Sequence, residues 1–378
     1  MDFSFSEEQN SIRDLARQIL EAEATVERIK AAEASPSWRD EEVWKQIADA
    51  GLLGIAIPEA HGGMGMGFRD LCVLLEEVGR LVVPGPWLTT LAIGGLPLAE
   101  FGTDEQKGRW LPAIARGEAT IGGALEDLGS RELARPATVA TPTAEGFVLS
   151  GGKSSVSCGT SADVLLVSAA EGDGVALFLV DPGSEGLRMV SRTISSGEPL
   201  VDVFLEDVSV PAASRLGGAQ ADGAEILAWL EPRVLAAISA VQVGVCDRAL
   251  KMTAEYVAQR EQFGVPIGSF QAVQHRSADG FIDLEAVRWT TWRAIIRLSE
   301  GRPAMRTAIA AKVWAADAGS RIANSGLHLH GGLGADVDYP IHRYFLWSKA
   351  LELMWGGAQA TLARLGRDMA ENGPSEDA

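Results

Sequence analysis

Cysteine is scarce in this chain of 378 residues: Cys72, Cys158 and Cys246 are the full set, far apart and without a C-x-x-C pair. That argues against a disulfide framework or a thiolate zinc site, and the expectation is buried, reduced thiols in a reducing compartment. Basic residues are also short, with 33 Lys and Arg against 51 Asp and Glu, for a formal net charge of −18. Sequence-independent nucleic-acid binding is excluded on that balance, because it depends on cations at phosphate. Any site for an anionic ligand must be locally basic against the overall field. No uncharged apolar run reaches the roughly 18 residues a membrane helix needs, so no membrane span is expected. The opening MDFSFSEEQN has no basic segment followed by an apolar run. No secretory signal is therefore expected, and a cytoplasmic location follows. Histidines are few as well. His328 and His330 stand two apart and His342 lies further on, with no carboxylate or cysteine partner at ligand spacing, so no metal site is expected.

What the chain does have is 47% hydrophobic and 22% charged content, enough to bury a large core, and a length that permits two or three domains. Residues 1–118 read as helical: Ile12, Leu15, Ile19 and Leu20 define one apolar face, and Leu71, Leu74, Leu75, Val78 and Leu81 another. From 119 to 221 the texture changes to short apolar runs, at 147–149, 164–167, 175–180 and 201–205, bounded by turns such as EGDG and DPGSEG. This zone reads as an antiparallel β barrel or sandwich. Helical periodicity returns over 222–369, and the acidic end, 370–378, reads as a disordered tail. Most of the ten tryptophans, Trp289, Trp292, Trp314 and Trp347 among them, fall in helical runs and read as packing.

The most informative stretch is 256–279, YVAQREQFGVPIGSFQAVQHRSAD. Leu235, Ile238, Val241, Val245, Leu250 and Met252 recur at helical steps before it, and Gly264, Pro266 and Gly268 then force the chain out of helix. Arg260 brings a planar donor fork suited to phosphate or carboxylate, and Phe263 a flat apolar face. Two readings stand on these residues alone: a nucleotide grip, or a helix end with a cation at its negative pole and a phenylalanine in the core.

The segment resembles the R-x-Q-F-G-x-P-I-G-x-F-Q-A-x-Q-H-x-x-A-D signature of acyl-CoA dehydrogenases, matching at Arg260, Gln262, Phe263, Gly264, Pro266, Ile267, Gly268, Phe270, Gln271, Gln274 and Asp279. The likeness extends to MDFSFSEEQ, to GLLGIAIP at 51–58, to 59–65, to FGTDEQKGRWLPAIARG at 101–117 and to His330, Gly331, Gly332 and Gly334. It implies an α+β acyl-CoA dehydrogenase fold with an N-terminal helical domain, a middle antiparallel β domain and a C-terminal helical bundle. It further implies FAD as cofactor and α,β-dehydrogenation of an acyl-CoA thioester: a carboxylate takes the α proton and the β hydrogen leaves as hydride. Carried over residue by residue, Arg260, Gln262, Phe263, Gln271, Gly331 and Gly332 contact FAD held mainly by a neighbouring subunit. His328 stands where the family has glutamine. Glycines at 331 and 332 suit that task, since without Cβ the backbone N–H groups approach phosphate closely.

The parts that complete a chain's own site differ. The catalytic glutamate of the family's Tyr-Glu-Gly-Thr motif corresponds to Gly356, within Trp355-Gly356-Gly357-Ala358. The alternative position, on the long helix before the signature, falls at Val234 beside Arg233. Glu231, just before Pro232, suits the first turn of a helix and is a weaker candidate for a displaced base. The family's T-E-P-x-x-G-S-D is here Leu125-Glu126-Asp127-Leu128-Gly129-Ser130, and its G-x-K-x-(W/F)-(I/V)-(T/S) is 151–157, with Ser155 in place of the aromatic that lies against flavin. The resemblance is nearest to the base-lacking β-type subunits of actinobacterial α2β2 heterotetramers that oxidise CoA esters of steroid (cholesterol-type) side chains in β-oxidation. It implies a homologous partner carrying the glutamate. Two alternatives stay open: a self-sufficient homotetramer using Glu231, and a non-enzymatic acyl-CoA-binding scaffold that kept only the fold.

Overall fold

The computed structural model describes residues 3–130 and 132–373. Helices come first: α1 (Glu7–Glu23), α2 (Val26–Glu33), α3 (Glu41–Asp49), α4 (Phe68–Leu81), α5 (Leu96–Phe101) and α6 (Asp104–Ala115). Strands follow as β1 (Ile121–Ala124), β2 (Val139–Pro142), β3 (Gly146–Ser157), β4 (Val164–Glu171), β5 (Gly174–Val180), β6 (Leu187–Thr193) and β7 (Pro199–Pro211). Helices return with α7 (Gly223–Gln259), then a small hairpin of β8 (Glu261–Gln262) and β9 (Val265–Pro266), then α8 (Gln271–Ser299), α9 (Met305–Leu329), α10 (Ile341–Leu353) and α11 (Ala358–Asn372). The order of helices, strands and helices is the α+β arrangement expected. The first residues of the expected tail are instead ordered, because α11 continues through 370–372: the Arg306 guanidinium holds the Gly373 carbonyl at 2.6 Å, and Asn372 Nδ2 donates to Asp368 Oδ1 at 2.9 Å. Residues 374–378 of that expected tail lie outside the described part.

Helix starts follow from local chemistry. Ser6 Oγ accepts from the Gln9 N–H at 3.2 Å while the Gln9 side chain accepts from the Ser6 N–H at 3.1 Å, a reciprocal cap on α1. Thr103 and Gln106 repeat the device on α6. Such caps satisfy N–H groups that have no partner within the helix, each worth about 1 kcal/mol.

The chain divides into two compact units, one made of residues up to 26, 72–83 and from 235 on, the other of 27–71 and 84–234. The second unit holds a sheet of seven strands in the order β1-β4-β2-β3-β7-β6, with β5 also on β4. Its pairings correct the expectation of a purely antiparallel domain. β1 runs parallel to β4 from Ile121↔Val164 to Ala124↔Val167, and β2 meets β4 in parallel at Val139↔Ala170. The hairpin β2–β3 lies between β1 and β4 in sequence, so strand spacing alone does not reveal which edges meet. Leu149, Val156, Leu165, Val167, Phe178, Val201, Val203 and Leu205 fill the core on the sheet's inner face, each contributing about 1.5–3 kcal/mol by leaving water. A wide π-helical segment, Trp87–Gly95, is stitched to β1: Thr89 Oγ1 donates to the Ile121 carbonyl at 3.1 Å, and Thr90 Oγ1 accepts from the Ile121 N–H at 3.2 Å.

In the first unit α4 and α7 touch backbone to backbone. A Cβ on Gly79 would lie 2.0 Å from the Val241 carbonyl oxygen, and one on Gly244 would lie 1.9 Å from that of Glu76. α7 is long and apolar enough to cross a membrane by length and composition, a looser test than an unbroken uncharged run; 78% of its most apolar 18-residue window is buried inside the protein. Cys72, Cys158 and Cys246 are all buried, and none is in a disulfide.

Candidate functional site

α7 ends at Gln259, and the Arg260 N–H closes its last turn on the Tyr256 carbonyl at 2.8 Å. The hairpin that follows pairs Glu261↔Pro266 and Gln262↔Val265, leaving Phe263 and Gly264 as a two-residue turn. Both turn residues have positive φ, 55° and 80°, as a type I′ hairpin requires. Phe263 is thereby lifted to the tip with 93% of its surface exposed. The Ile267 N–H donates to the Arg260 carbonyl at 2.8 Å, closing the base of the hairpin. Phe270 meets Phe263 edge to face, with ring centroids 6.2 Å apart, and Gln271 opens α8. Arg260, Gln262 and Gln271 are exposed, and among the described residues the Arg260 guanidinium makes no hydrogen bond or ion pair. Phe263 is therefore not a core residue, while Arg260 does stand at the C-terminal end of α7 as the helix-end reading expects.

A second piece lies where α9 ends. His330 is buried, its Nδ1 donates to the Gly326 carbonyl at 2.7 Å, and its ring stacks on Tyr256 with centroids 4.3 Å apart and planes 21° from parallel. Burial pushes the His330 pKa down, which keeps the ring neutral. Gly331 follows with φ +59°, and a Cβ on either Gly331 or Gly332 would meet nothing within 4 Å, so the turn borders open space. His328 is exposed and its Nδ1 accepts from Arg276 Nη1. With Nδ1 as acceptor, the proton of the neutral ring is on Nε2, which is then a donor. The structure thus joins the hairpin and the glycine turn through Tyr256 and His330, two residues the sequence reading left without a role. An unpaired guanidinium, an exposed flat ring and an open glycine turn fit a dinucleotide cofactor: cation for phosphate, ring for an aromatic face, bare N–H groups for oxygen.

Gly356, which the resemblance sets at the family's base position, is buried in the turn between α10 and α11 with φ +105°. Its carbonyl accepts from Lys312 Nζ at 2.9 Å, and the same ammonium reaches the Glu352 carbonyl at 2.9 Å. Lys312 is fully buried, and the carbonyls at the end of α10 supply negative partial charge beside it. A lone lysine inside the apolar run AIAAKVWAA was the available signal for this contact.

Glu231 is not in a first helical turn, contrary to expectation. It sits well inside the unbroken helix Gly223–Gln259, with Pro232 in the helix interior. Pro232 donates nothing to the carbonyl a turn earlier, and Arg233 Nη1 donates instead to the nearby Trp229 carbonyl at 2.7 Å while its guanidinium lies 3.7 Å over the Trp229 ring. Burial lowers the Arg233 pKa to about 10, so it is a cation at neutral pH and not a base, and Val234 is fully buried.

In the sheet, the two motif fragments meet. Lys153 Nζ pairs with Asp127 Oδ1 at 2.8 Å and reaches Ser168 Oγ at 3.0 Å, wholly buried. Burial pulls the Lys153 pKa down to about 8, against the pull of Asp127. Ser155 occupies a bulge of β3 with φ +55°, and Ser157 Oγ donates to the buried Glu198, whose pKa burial pushes up. Sequence reading missed Asp127 with Lys153 and Glu198 with Ser157, since each pair joins separate strands or loops. Among the described residues no cluster of three or more His, Cys, Asp or Glu is placed to hold a metal.

Comparison with known proteins gives the family. The model for the acyl-CoA dehydrogenase N-terminal domain matches residues 6–118, and that for the acyl-CoA dehydrogenase C-terminal domain matches residues 233–370. FadE27, an acyl-CoA dehydrogenase of Mycobacterium tuberculosis, is 35% identical over 98% of this chain and 99% of its own length. A chain of the ChsE4-ChsE5 complex from Mycobacterium tuberculosis superposes with a TM-score of 0.93 at 35% identity, covering 99% of this chain and 100% of that one. A chain of a variant Tcur3481-Tcur3483 steroid acyl-CoA dehydrogenase superposes with a TM-score of 0.91 at 44% identity, covering 98% of this chain and 99% of that one. The chain belongs to the acyl-CoA dehydrogenase family of FAD-dependent enzymes.

Proposed function

We propose that this chain is the subunit of a heteromeric acyl-CoA dehydrogenase that lends cofactor-binding residues to a homologous partner and carries no base of its own. The observation that supports this most is Gly356: the position of the family base is a glycine at φ +105°, its carbonyl tied to the buried Lys312. Bound FAD supplies the hydride acceptor for α,β-dehydrogenation of an acyl-CoA thioester. The partner supplies the carboxylate that removes the α proton. This chain's share is binding and orientation. Arg260 would hold the pyrophosphate with its donor fork, Phe263 would offer its ring to the cofactor, and the backbone N–H groups of Gly331 and Gly332 would serve phosphate oxygen. Gln262, Gln271 and His328 Nε2 add hydrogen bonds at the edge of the same surface.

The solved relatives support the heteromeric reading, since two are named as pairs and one of those as a steroid enzyme. We accordingly assign a steroid side-chain CoA ester as substrate, a step of β-oxidation, and an α2β2 assembly. Three buried cysteines outside any disulfide suit a reducing cytoplasm.

The test is FAD content per chain by flavin absorbance, for the chain produced alone and again with a family member that retains the glutamate. No flavin alone and about half an equivalent per total chain in the mixed complex is the expected result, as one shared site per pair requires. About one equivalent in the lone chain, with turnover, would overturn the reading in favour of a self-sufficient enzyme. No flavin in either preparation would leave a scaffold.

A further inference from the structure

We propose that His330 is a positioning residue for cofactor binding: its ring, stacked on Tyr256, sets the place of the Gly331–Gly332 turn relative to the Arg260–Phe263 hairpin. The inference rests on the reading that both pieces hold FAD.

The two stacked residues stand at the roots of the two pieces. Tyr256 is one helical turn before Arg260 and accepts its N–H at 2.8 Å, so a displacement of Tyr256 carries Arg260 and the hairpin with it. His330 immediately precedes Gly331 in the chain. One turn deeper the helices are already in close contact, since a Cβ on Gly326 would lie 3.0 Å from Thr253 Oγ1. The hydrogen bond from His330 Nδ1 to the Gly326 carbonyl then sets the angle of the ring against α9. The Tyr339 ring also lies against it, tilted, with centroids 5.3 Å apart. Nε2 is buried and, among the described residues, has no hydrogen-bond partner. A phenylalanine would fill the same space with the same flat face and bury no bare acceptor, so the only group histidine adds is the Nδ1–H, which turns the ring within α9. The stack on Tyr256, which either ring can make, is what relates the two pieces.

The experiment uses the complex of this chain with its glutamate-bearing partner, stripped of flavin and titrated with FAD, the dissociation constant being read from flavin fluorescence. Tyr256→Phe and His330→Phe keep the stack and are expected to bind FAD within about twofold of wild type. Tyr256→Leu and His330→Leu remove it and are expected to bind about tenfold more weakly or worse, with assembly and melting temperature checked on the same samples. Should a leucine variant fail to assemble, His330→Gln, which keeps a donor for Gly326 but has no ring, is measured in its place with the same expectation. Leucine or glutamine variants that bind like wild type overturn the inference, as does a phenylalanine variant that weakens as far as its leucine counterpart. If the wild-type complex itself takes up no FAD, the proposed function fails; if it binds and the variants are indifferent, only the positioning role fails.

Discussion

Phe263 holds a left-handed backbone conformation, φ +55°, and still leaves 93% of its surface in solvent. Each of those features is unfavourable for a phenylalanine, the first by about 1–2 kcal/mol, so a folded chain on its own gains nothing from the choice. A ligand that covers the ring gives it a reason. Phe263→Gly is therefore expected to stabilise the isolated chain by up to about 1 kcal/mol in thermal unfolding, because glycine adopts positive φ without strain. The same change should weaken FAD binding in the partnered complex about tenfold, the value of one aromatic contact. Unchanged FAD affinity would show that the ring takes no part. The sequence announced the turn through Gly264, Pro266 and Gly268, and the aromatic through the family signature. It did not announce the strain, because type I′ turns ordinarily place Asn, Asp or Gly where Phe263 stands.

At the scale of elements, α4 and α7 cross on two glycines, Gly79 and Gly244, whose missing side chains let carbonyl groups of the facing helix approach. Gly244→Ala places a methyl 1.9 Å from the Glu76 carbonyl oxygen, a backbone atom that moves only with its helix. A loss of about 3 kcal/mol is expected in urea unfolding, with an Ala change at the open Gly366 as the mild comparison. Equal effects at the two sites would mean that helix propensity, and not the crossing, governs the position. α7 also shows where local rules mislead. Pro232 reads as a helix start, and the helix runs through it because packing on both flanks, with Leu230 and Val234 fully buried, outweighs one lost hydrogen bond.

Over the whole molecule, the charge of −18 sits beside a few deeply placed carboxylates. Glu76, on α4, accepts from Trp292 Nε1 at 3.0 Å and lies 3.5 Å from Arg288; burial raises its pKa to about 7 despite that arginine, and the adjacent Glu77 adds to the rise. A folded-state pKa above the ordinary value of 4.5 means that the native protein binds more protons between the two. This contribution to stability is complete at low pH and is lost as pH rises through about 7, an effect of up to about 3 kcal/mol. In Glu76→Gln the fall in unfolding free energy between about pH 5 and pH 7 should flatten accordingly; an unaltered slope would remove Glu76 from the account. What the sequence by itself determined is local or written in residue identity: the order of helices, strands and helices, the capping boxes at Ser6 and Thr103, and the punctuation of the hairpin. These follow from periodicity and side-chain chemistry within a turn or two of chain. Only the tertiary structure decided that β1 pairs with β4 in parallel, that Lys153 is buried on Asp127, that Lys312 caps the turn at Gly356, and that His330 stacks on Tyr256. Each of these joins residues distant in the chain. Their meeting is set by how whole elements exclude water and interlock, which no local window of sequence contains.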